Sequence, residues 1–130
     1  MAALPALLVM HADLSAALLR AAIQVYGPFE DVESLSNEGL SKEALEEAIE
    51  ARVSKWGAGG LVFTDMFGGS CHLCGSRAAR DHGDVVVVSG LNLPILLDYL
   101  HNRDGLPVRD LAERLKQKGQ NSIRLQYPPV

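Results

Sequence analysis

The sequence predicts an α/β fold: a single doubly wound domain whose four-stranded parallel sheet, in the strand order 2-1-3-4, is flanked by helices. Short apolar runs alternate along the chain with segments whose apolar residues recur at helical spacing. Most of these runs are unbroken, as in strands that are covered on both faces. The 130 residues, of which 48% are apolar and 22% charged, are enough for one globular domain with a core of its own.

Two strands and the helix between them make up the N-terminal part of the prediction. The first strand runs from Leu4 to Met10, and His11 lies just past its end. Because the apolar opening of the chain has no basic leader, we interpret it as this strand rather than as a signal peptide. The first helix has Asp13 as its cap and Gly27-Pro28 as its stop. The segment from Asp31 to Ser36 predicts a second strand near a sheet edge, because few of its residues are apolar.

The stretch around which the chain is organised follows the second helix. Ser41 caps that helix, whose glutamates are spread over its solvated side. The apolar run Leu61-Val62-Phe63 predicts a buried third strand, with Asp65 at its end. A Gly-Gly-Ser turn then opens a third helix, from about Ser70 to Arg80.

One more strand and two helices complete the alternating pattern. A run of four valines, residues 85–88, predicts a buried fourth strand. Pro94 suits the first turn of the fourth helix, and Gly119 is the predicted stop of the fifth. Apolar and polar residues alternate from Ser122 to Tyr127, which predicts a half-exposed final strand.

Charge and cysteine content argue against several classes of protein. The net charge of −4 and the absence of a basic run argue against nucleic acid binding, which needs clustered Lys and Arg. No stretch reaches the roughly 18 apolar residues of a membrane span, so we expect no direct membrane insertion. Cys71 and Cys74 do not make a disulfide framework, and the cytoplasm is the expected compartment.

Two chemically active side chains follow neighbouring strands of the predicted sheet. Open parallel sheets bind ligands at the carboxyl ends of their strands, where the strand order reverses, which here is between strands one and three. Those strands end in His11 and Asp65, so we expect an imidazole and a carboxylate in one cleft. The turn Gly68-Gly69-Ser70 adds a phosphoryl-binding helix start, because helix N-termini present unpaired N–H groups and glycine allows close approach. Four further residues are expected to line the cleft: Met66, Phe67, Asn92 and Pro94.

Three motifs stand at characteristic separations along the chain. They are the apolar strand ending in His11, the D-x-x-G-G-S of Asp65 to Ser70, and the S-G-L-N-L-P-I-L-L of Ser89 to Leu97. Together they resemble the IIA component of the mannose-type sugar phosphotransferase system, over essentially the whole of residues 1–130. The resemblance implies a phosphocarrier domain, in which a histidine takes a phosphoryl group from the phosphocarrier protein HPr. The group then passes to a IIB component that serves a sugar permease.

The resemblance also assigns roles to residues of this chain. It implies that His11 is the phosphoryl acceptor, that Asp65 is the carboxylate at the end of the third strand, and that Ser70 is the serine of the turn. Members of the family are typically homodimers, in which a last antiparallel strand, here within Ser122 to Tyr127, can be exchanged between subunits. Because no linker precedes Val130, we expect no fused IIB domain.

Three positions depart from the pattern of that family. Ala12 stands where glycine is common after the histidine, Cys71 where proline commonly follows the Gly-Gly-Ser, and Leu73 where an asparagine is usual. All three are expected at the mouth of the cleft, where a partner would dock, whereas His11, Asp65 and Ser70 keep the pattern.

The chemistry of imidazole suggests how such a cleft would work. If Asp65 accepts a hydrogen bond from Nδ1–H of His11, Nε2 is left as the nucleophile and the carboxylate stabilises the charge that grows on the ring. The backbone N–H groups of Gly69 and Ser70 and the Ser70 hydroxyl are suitable donors to the transferring phosphoryl oxygens. A phosphoramidate donor is already activated, so no cofactor and no metal is expected.

Two other functions use the same stretch of sequence. Cys71-His72-Leu73-Cys74 is a C-x-x-C at a helix start after a strand, which is typical of a dithiol redox pair, and with one or two histidines the cysteines could assemble a zinc site. Phosphorylation of His11 could instead serve a regulatory module without a transport role. The remaining histidines, His72, His82 and His101, are expected to be surface residues.

Overall fold

Strands and helices alternate along the chain in the computed structural model, which describes residues 2–129. The strands are β1 (Ala6–Met10), β2 (Val32–Ser36), β3 (Gly60–Thr64) and β4 (Val85–Ser89). The helices are α1 (Leu14–Tyr26), α2 (Lys42–Val53), α3 (Ser70–Ala79), α4 (Leu93–Asn102) and α5 (Val108–Asn121). Among these helices none combines the length and the apolar character that a bilayer span requires.

The four strands form one parallel sheet in the order β2-β1-β3-β4, which confirms the predicted order. Every residue of β1 and of β3 is buried, in agreement with their unbroken apolar sequences. The strands β2 and β4 lie at the two edges of the sheet and are at most partly buried, so the prediction that the valine run is a buried strand is wrong. Val9 of β1 pairs with Thr64 of β3, so the carboxyl ends of the two central strands lie side by side.

Side chains that alternate along the central strands divide the core between the two faces of the sheet. On one face Leu8 and Phe63 pack with Tyr99 of α4, and on the other Leu7 and Val62 pack against α2 and α3. The Tyr99 hydroxyl donates a 2.6 Å hydrogen bond to the carbonyl of Leu4, which ties α4 to the chain entering β1. The sheet is therefore covered by helices on both faces, as the doubly wound prediction requires.

Most of the predicted helix boundaries agree with the structure, which also shows the contacts at the starts of the helices. Ser41 caps α2 by accepting a hydrogen bond from the Ala44 N–H at 3.1 Å. Asp13 occupies the cap position of α1 but makes no capping hydrogen bond with its side chain. Pro94 lies in the first turn of α4, where its missing N–H costs nothing.

The prediction that Gly119 stops the last helix is wrong. The helix α5 continues to Asn121, and Gly119 lies inside it. A Cβ atom at Gly119 would approach Cδ1 of Ile95 to 2.7 Å, so the missing side chain allows α5 to pack closely on α4. The glycine is explained by helix packing rather than by chain termination.

The predicted final strand is not formed in this single chain. Residues 123–129 have no regular secondary structure, and Ile123, Leu125 and Tyr127 are 79%, 77% and 75% exposed. Among residues 2–129 no strand pairs with this segment, although its apolar and polar residues alternate. Exchange of the segment between two subunits stays a prediction.

Candidate functional site

The site is centred on two side chains that the central strands deliver to the same edge of the sheet. His11 follows β1 and Asp65 follows β3, and the parallel pairing of these strands brings the two residues together. The His11 Nδ1 and the Asp65 Oδ2 lie 2.7 Å apart. The backbone N–H of His11 donates to the same carboxylate oxygen at 3.0 Å. The imidazole and carboxylate expected in one cleft are thus in direct contact.

The environment of Asp65 keeps its carboxylate ionised. Burial raises the pKa of Asp65, but the hydrogen bonds from the His11 backbone and ring outweigh burial, and the net pKa lies below its usual range. The side chain of Asp65 is only 12% exposed, whereas that of His11 is 42% exposed. A shielded carboxylate therefore holds an imidazole that is open to solvent.

The second ring nitrogen of His11 is available for chemistry. Within residues 2–129 no hydrogen bond engages Nε2, while Nδ1 is engaged by Asp65. A neutral imidazole has one N–H and one lone pair, and an ionised carboxylate favours the proton on the nitrogen that it contacts. The geometry therefore favours the tautomer in which Nε2 carries the lone pair.

The glycine turn lies directly against the histidine ring. Gly69 is the N-cap residue of α3, and Ser70 is the first residue of the helix. A Cβ atom at Gly69 would lie 3.5 Å from Cε1 of His11 and 3.1 Å from Cγ of Met66. Gly68 has a φ of +82°, in the left-handed region that glycine adopts most readily. The two glycines thus serve different needs: Gly69 leaves room for the Met66 side chain beside the ring, and Gly68 allows the turn of the backbone.

Exposed apolar side chains of Met66, Phe67 and Leu73 form an apolar rim along the turn after Asp65 and the start of α3. Met66 is 56% exposed and Phe67 is 80% exposed, in the turn that follows Asp65. The ring of Phe67 packs on that of His72, with a centroid separation of 4.6 Å. Leu73, one turn further along α3, is also exposed. These side chains leave a hydrophobic surface beside the half-exposed histidine.

Asn92 and Pro94 were expected to line the same cleft. The Asn92 side chain caps α4 by accepting from the Ile95 N–H at 2.9 Å, and it donates to Oγ of Ser122 at 3.2 Å. It also lines a groove of about 550 Å³ between β4 and α5. Neither residue makes a hydrogen bond with the His11 and Asp65 pair among residues 2–129. Their structural roles are in the start of α4.

Sequence reasoning did not identify Asn37, which supports the segment after the histidine. Ala12 has a φ of +51°, unusual for a residue with a side chain, and its backbone N–H donates to Oδ1 of Asn37 at 3.3 Å. Asn37 follows β2, which is the other neighbour of β1. Its position after a strand end is the same signal that pointed to His11 and Asp65, and could have indicated it.

Both cysteines are buried, and their environment disfavours dithiol chemistry. Burial is the main cause that raises the pKa of Cys71 to about 11, with further contributions from Asp65 and Cys74. Burial also raises the pKa of Cys74, whose Sγ donates to the Lys42 carbonyl at 3.6 Å. A redox nucleophile needs a lowered thiol pKa and access to solvent, and neither thiol has these properties. Unexpectedly, Cys71 Sγ lies only 3.9 Å from Nδ1 of His11.

The remaining histidines lie outside this cluster. His82 Nε2 lies 2.9 Å from Oε1 of Glu50, and His101 Nδ1 lies 2.9 Å from the Leu97 carbonyl. His72 packs against the exposed Phe67 ring. Each of the three therefore has a local role on or near the surface.

Comparison with known protein families shows which family this chain belongs to. The family described as the PTS system fructose IIA component, where PTS denotes the phosphotransferase system, matches residues 6–116. The chain belongs to the mannose-type EIIA family of the PTS. The matched range runs from β1 into α5 and includes His11, Asp65 and the glycine turn of this EIIA protein.

Relatives with known sequences or structures agree with this membership. The EIIA chain is 32% identical over 65 residues to a PTS system fructose-specific EIIA component of Bacillus subtilis (strain 168). That alignment covers 50% of the chain and 44% of the relative, so the similarity extends over less than half of the longer protein.

Two solved structures show the same fold over nearly the whole chain. EIIA of Streptococcus agalactiae is 24% identical with a TM-score of 0.87, covering 93% of this chain and 95% of its own. The mannose/sorbose specific IIA subunit of Enterococcus faecalis is 21% identical with a TM-score of 0.85, covering 99% and 98% of the two chains. At these identities the structures establish the common architecture.

Proposed function

We propose that this EIIA protein is a cytoplasmic phosphocarrier of PTS-coupled sugar uptake, and that His11 carries the phosphoryl group. The donor is phosphorylated HPr and the acceptor is a IIB component. The observation that supports this proposal is the 2.7 Å contact between Nδ1 of His11 and Asp65, which leaves Nε2 free on a half-exposed ring. That arrangement suits a nucleophile that must meet phosphoryl groups held by other proteins.

The reaction is a transfer from one imidazole to another. Nε2 of His11 attacks phosphorus, a new N–P bond forms, and the N–P bond to the donor histidine breaks with its electron pair returning to the donor ring. Positive charge grows on the His11 ring during attack, and the ionised Asp65 beside Nδ1–H stabilises that charge. The carboxylate does not need to take the proton. It holds the ring in the reactive tautomer before and during the transfer.

The start of α3 is suited to hold the transferring group. Backbone N–H groups at a helix N-terminus are unpaired and bear partial positive charge, and Gly69 brings this end of the helix against the His11 ring. We assign donation to the phosphoryl oxygens to the backbone of Gly68, Gly69 and Ser70 and to the Ser70 hydroxyl. Preorganised donors of this kind each contribute about 2.7–4 kcal/mol to transition-state stabilisation in other enzymes.

The apolar rim around His11 gives the partners a surface to bind. Met66, Phe67 and Leu73 are exposed next to the nucleophile, and exposed aromatic and methionine side chains are enriched in protein interfaces. HPr and IIB must each approach Nε2 closely enough for transfer, so both would contact this rim in turn.

We also propose that the protein acts as a homodimer. The strand β4 lies at the edge of the sheet with one side unpaired in the single chain, and exposed apolar residues alternate in the C-terminal segment 122–127. The groove between β4 and α5 already has Ile123 in its lining. A strand supplied by a second subunit could pair with the free edge of β4 and cover these side chains.

Phosphate labelling tests the carrier function. Incubation with phosphorylated HPr should yield an acid-labile, base-stable phosphate on the protein, and His11→Ala should abolish it. His101→Ala is the matched control, because His101 is exposed and contacts the carbonyl of its own helix. Absence of label on the wild-type protein, or label that survives His11→Ala, would contradict the proposal.

A further inference from the structure

Three side chains with different metal-binding atoms converge at the inner side of the His11 ring. A nitrogen of His11, a carboxylate oxygen of Asp65 and Sγ of Cys71 all lie within 4.8 Å of one another. The cluster combines β1, β3 and α3, so it is assembled by the fold and not by adjacent residues. It is the only such group of three among residues 2–129.

The sulfur-to-nitrogen distance in this cluster is close to that of a zinc site. Zinc bound to one thiolate and one imidazole in tetrahedral geometry separates sulfur from nitrogen by about 3.6 Å, given Zn–S and Zn–N bonds of about 2.3 and 2.0–2.1 Å. The Cys71 Sγ to His11 Nδ1 distance is 3.9 Å. A movement of a few tenths of an ångström would therefore bring both atoms within bonding distance of one ion.

The second carboxylate oxygen of Asp65 has no other use in the structure. Oδ2 accepts from the His11 backbone and contacts the ring, but Oδ1 is buried without a hydrogen-bond partner among residues 2–129. A buried carboxylate oxygen without a partner is costly, and a cation would satisfy it. This unpartnered oxygen is an observation independent of the position of Cys71.

We propose that His11, Asp65 and Cys71 form a binding site for a divalent ion of the zinc class, and that the bound ion blocks phosphoryl acceptance by His11. The ligands are Nδ1, a carboxylate oxygen and Sγ, and water takes the fourth position. A mixed sulfur, nitrogen and oxygen set of this kind favours Zn²⁺ over Mg²⁺ or Ca²⁺. The ion is an inhibitor of the carrier and not a cofactor.

The bound ion would block phosphoryl acceptance because it changes which ring nitrogen of His11 carries the proton. The Cys71 thiol gives up its proton to solvent when sulfur binds the ion, and the Asp65 carboxylate is already ionised. The ion takes the Nδ1 lone pair, so a neutral His11 ring carries its proton on Nε2 and has no lone pair there for phosphorus. One proton is released per ion, and nothing is oxidised or reduced.

The site depends on the thiol of Cys71. Asp65 and His11 alone would offer two ligands, whereas stable protein sites for zinc usually have three or four. Cys71 supplies the third at a position where the family that the sequence resembles commonly has proline. Cys74, three residues along α3, donates to Lys42 on the α2 side and serves as the matched control.

Cobalt spectroscopy tests the site without reference to phosphoryl transfer. Titration of the reduced protein with Co²⁺ should give one ion per chain and a near-ultraviolet sulfur-to-cobalt charge-transfer band. Cys71→Ala should remove the band and lower affinity by at least roughly the 10–100-fold that loss of a supporting residue costs in metal sites. Cys74→Ala should retain both. His11→Ala, at a half-exposed position that does not threaten folding, should also weaken binding.

A second experiment tests the inhibition of phosphoryl transfer, and it rests on the proposed function. Zn²⁺ should stop phosphorylation of the wild-type protein, a chelator should restore it, and Cys71→Ala should remain phosphorylated at the same Zn²⁺ concentration. Lack of metal binding, or a charge-transfer band that survives Cys71→Ala or disappears in Cys74→Ala, overturns the site. Binding without block overturns the inhibitory role, and lack of phosphorylation in metal-free protein counts against the carrier function alone.

Discussion

One oxygen of Asp65 holds both the backbone and the ring of His11. Oδ2 accepts from the His11 backbone N–H at 3.0 Å and contacts Nδ1 at 2.7 Å. The backbone contact fixes the end of β1 against the end of β3, and the ring contact fixes the orientation of the imidazole on that backbone. The His11 side chain is thus positioned by two paired strands of the sheet, and sites held by strands are more precise than sites held by loops.

Asp65→Asn should separate the positioning of His11 from its activation. The amide oxygen can still accept from the His11 backbone, so the fold should persist, but the negative charge that favours Nδ1–H is lost. We expect the rate of phosphorylation by phosphorylated HPr to fall by about 10²- to 10⁴-fold. Asp98 of α4 forms an ion pair with Arg114 of α5, and Asp98→Asn, which removes that ion pair, should leave the rate unchanged. Equal rates for the wild-type protein and Asp65→Asn would show that the carboxylate is only structural.

Gly69→Ala should slow transfer by placing a methyl group against the ring. The new Cβ would touch Cε1 of His11 at 3.5 Å, an ordinary van der Waals distance, but Cγ of Met66 at 3.1 Å would have to shift by a few tenths of an ångström beside the ring. Small displacements of a reacting group can cost about 10²-fold in rate. Gly27→Ala, at the end of α1 with a φ of +109° and open space around the new Cβ, is a control for stability loss without an effect on rate. Single-turnover phosphorylation rates distinguish the two variants.

Ala12→Gly should stabilise the protein. Ala12 has a φ of +51°, and a side chain in this region costs about 1–2 kcal/mol, partly offset by the about 0.4–1 kcal/mol of unfolded-chain entropy that glycine adds. We expect a net gain of up to about 1.6 kcal/mol in the free energy of unfolding by urea. Gly39→Ala is the reverse experiment, since Gly39 has a φ of +73° and open space, and it should lose a similar amount. A loss of stability in Ala12→Gly would contradict the strain.

Tyr99→Phe should change how stability depends on alkaline pH. Burial raises the pKa of Tyr99 from 10.0 to about 12 in the folded protein. The unfolded chain therefore loses this proton first, so the stabilising contribution is complete below pH 10 and is lost as pH rises towards 12. Near pH 8 the variant should be less stable than the wild-type protein by about 1 kcal/mol, because the hydrogen bond to the Leu4 carbonyl is gone. Above pH 10 its free energy of unfolding should fall less steeply than that of the wild-type protein.

The matched comparison for this variant is Tyr26→Phe, which removes a half-exposed hydroxyl that donates to Leu100. The buried Cys71 thiol also has a raised pKa, so its ionisation at alkaline pH lowers the stability of the folded protein as well. The decrease of the free energy of unfolding with pH should therefore be smaller in Tyr99→Phe than in the wild-type protein, but not absent. Urea denaturation at several pH values gives the slopes. A slope for Tyr99→Phe as steep as that of the wild-type protein would contradict the assignment.

The sheet and the central pair were predictable because they depend on strand sequence alone. Unbroken apolar runs in β1 and β3 indicated central strands, and the residues that follow parallel neighbours must lie at one edge of the sheet. The proximity of His11 and Asp65 therefore followed from topology. The close approach of Gly69 to the ring could be anticipated from the glycine turn, although not its distance.

Other features depended on side-chain packing that the sequence does not encode locally. The proximity of Cys71 to His11 depends on the rotation of α3 about its axis, and the commitment of Asn92 to α4 and Ser122 depends on how α5 ends. Gly119 illustrates this limit, because a glycine that ends a helix and a glycine that allows two helices to pack closely cannot be distinguished by sequence alone. The final strand failed to form because alternation specifies a strand but does not supply its partner.

The position of the phosphate on the imidazole is the sharpest test of the roles assigned to His11 and Asp65. Phosphorylation with phosphorylated HPr, followed by phosphorus and nitrogen NMR on protein labelled at histidine, identifies both the residue and the ring nitrogen that bears the group. Because Asp65 engages Nδ1, we predict a single species phosphorylated at Nε2 of His11. Phosphate on Nδ1, or on a histidine other than His11, would contradict the role assigned to this pair.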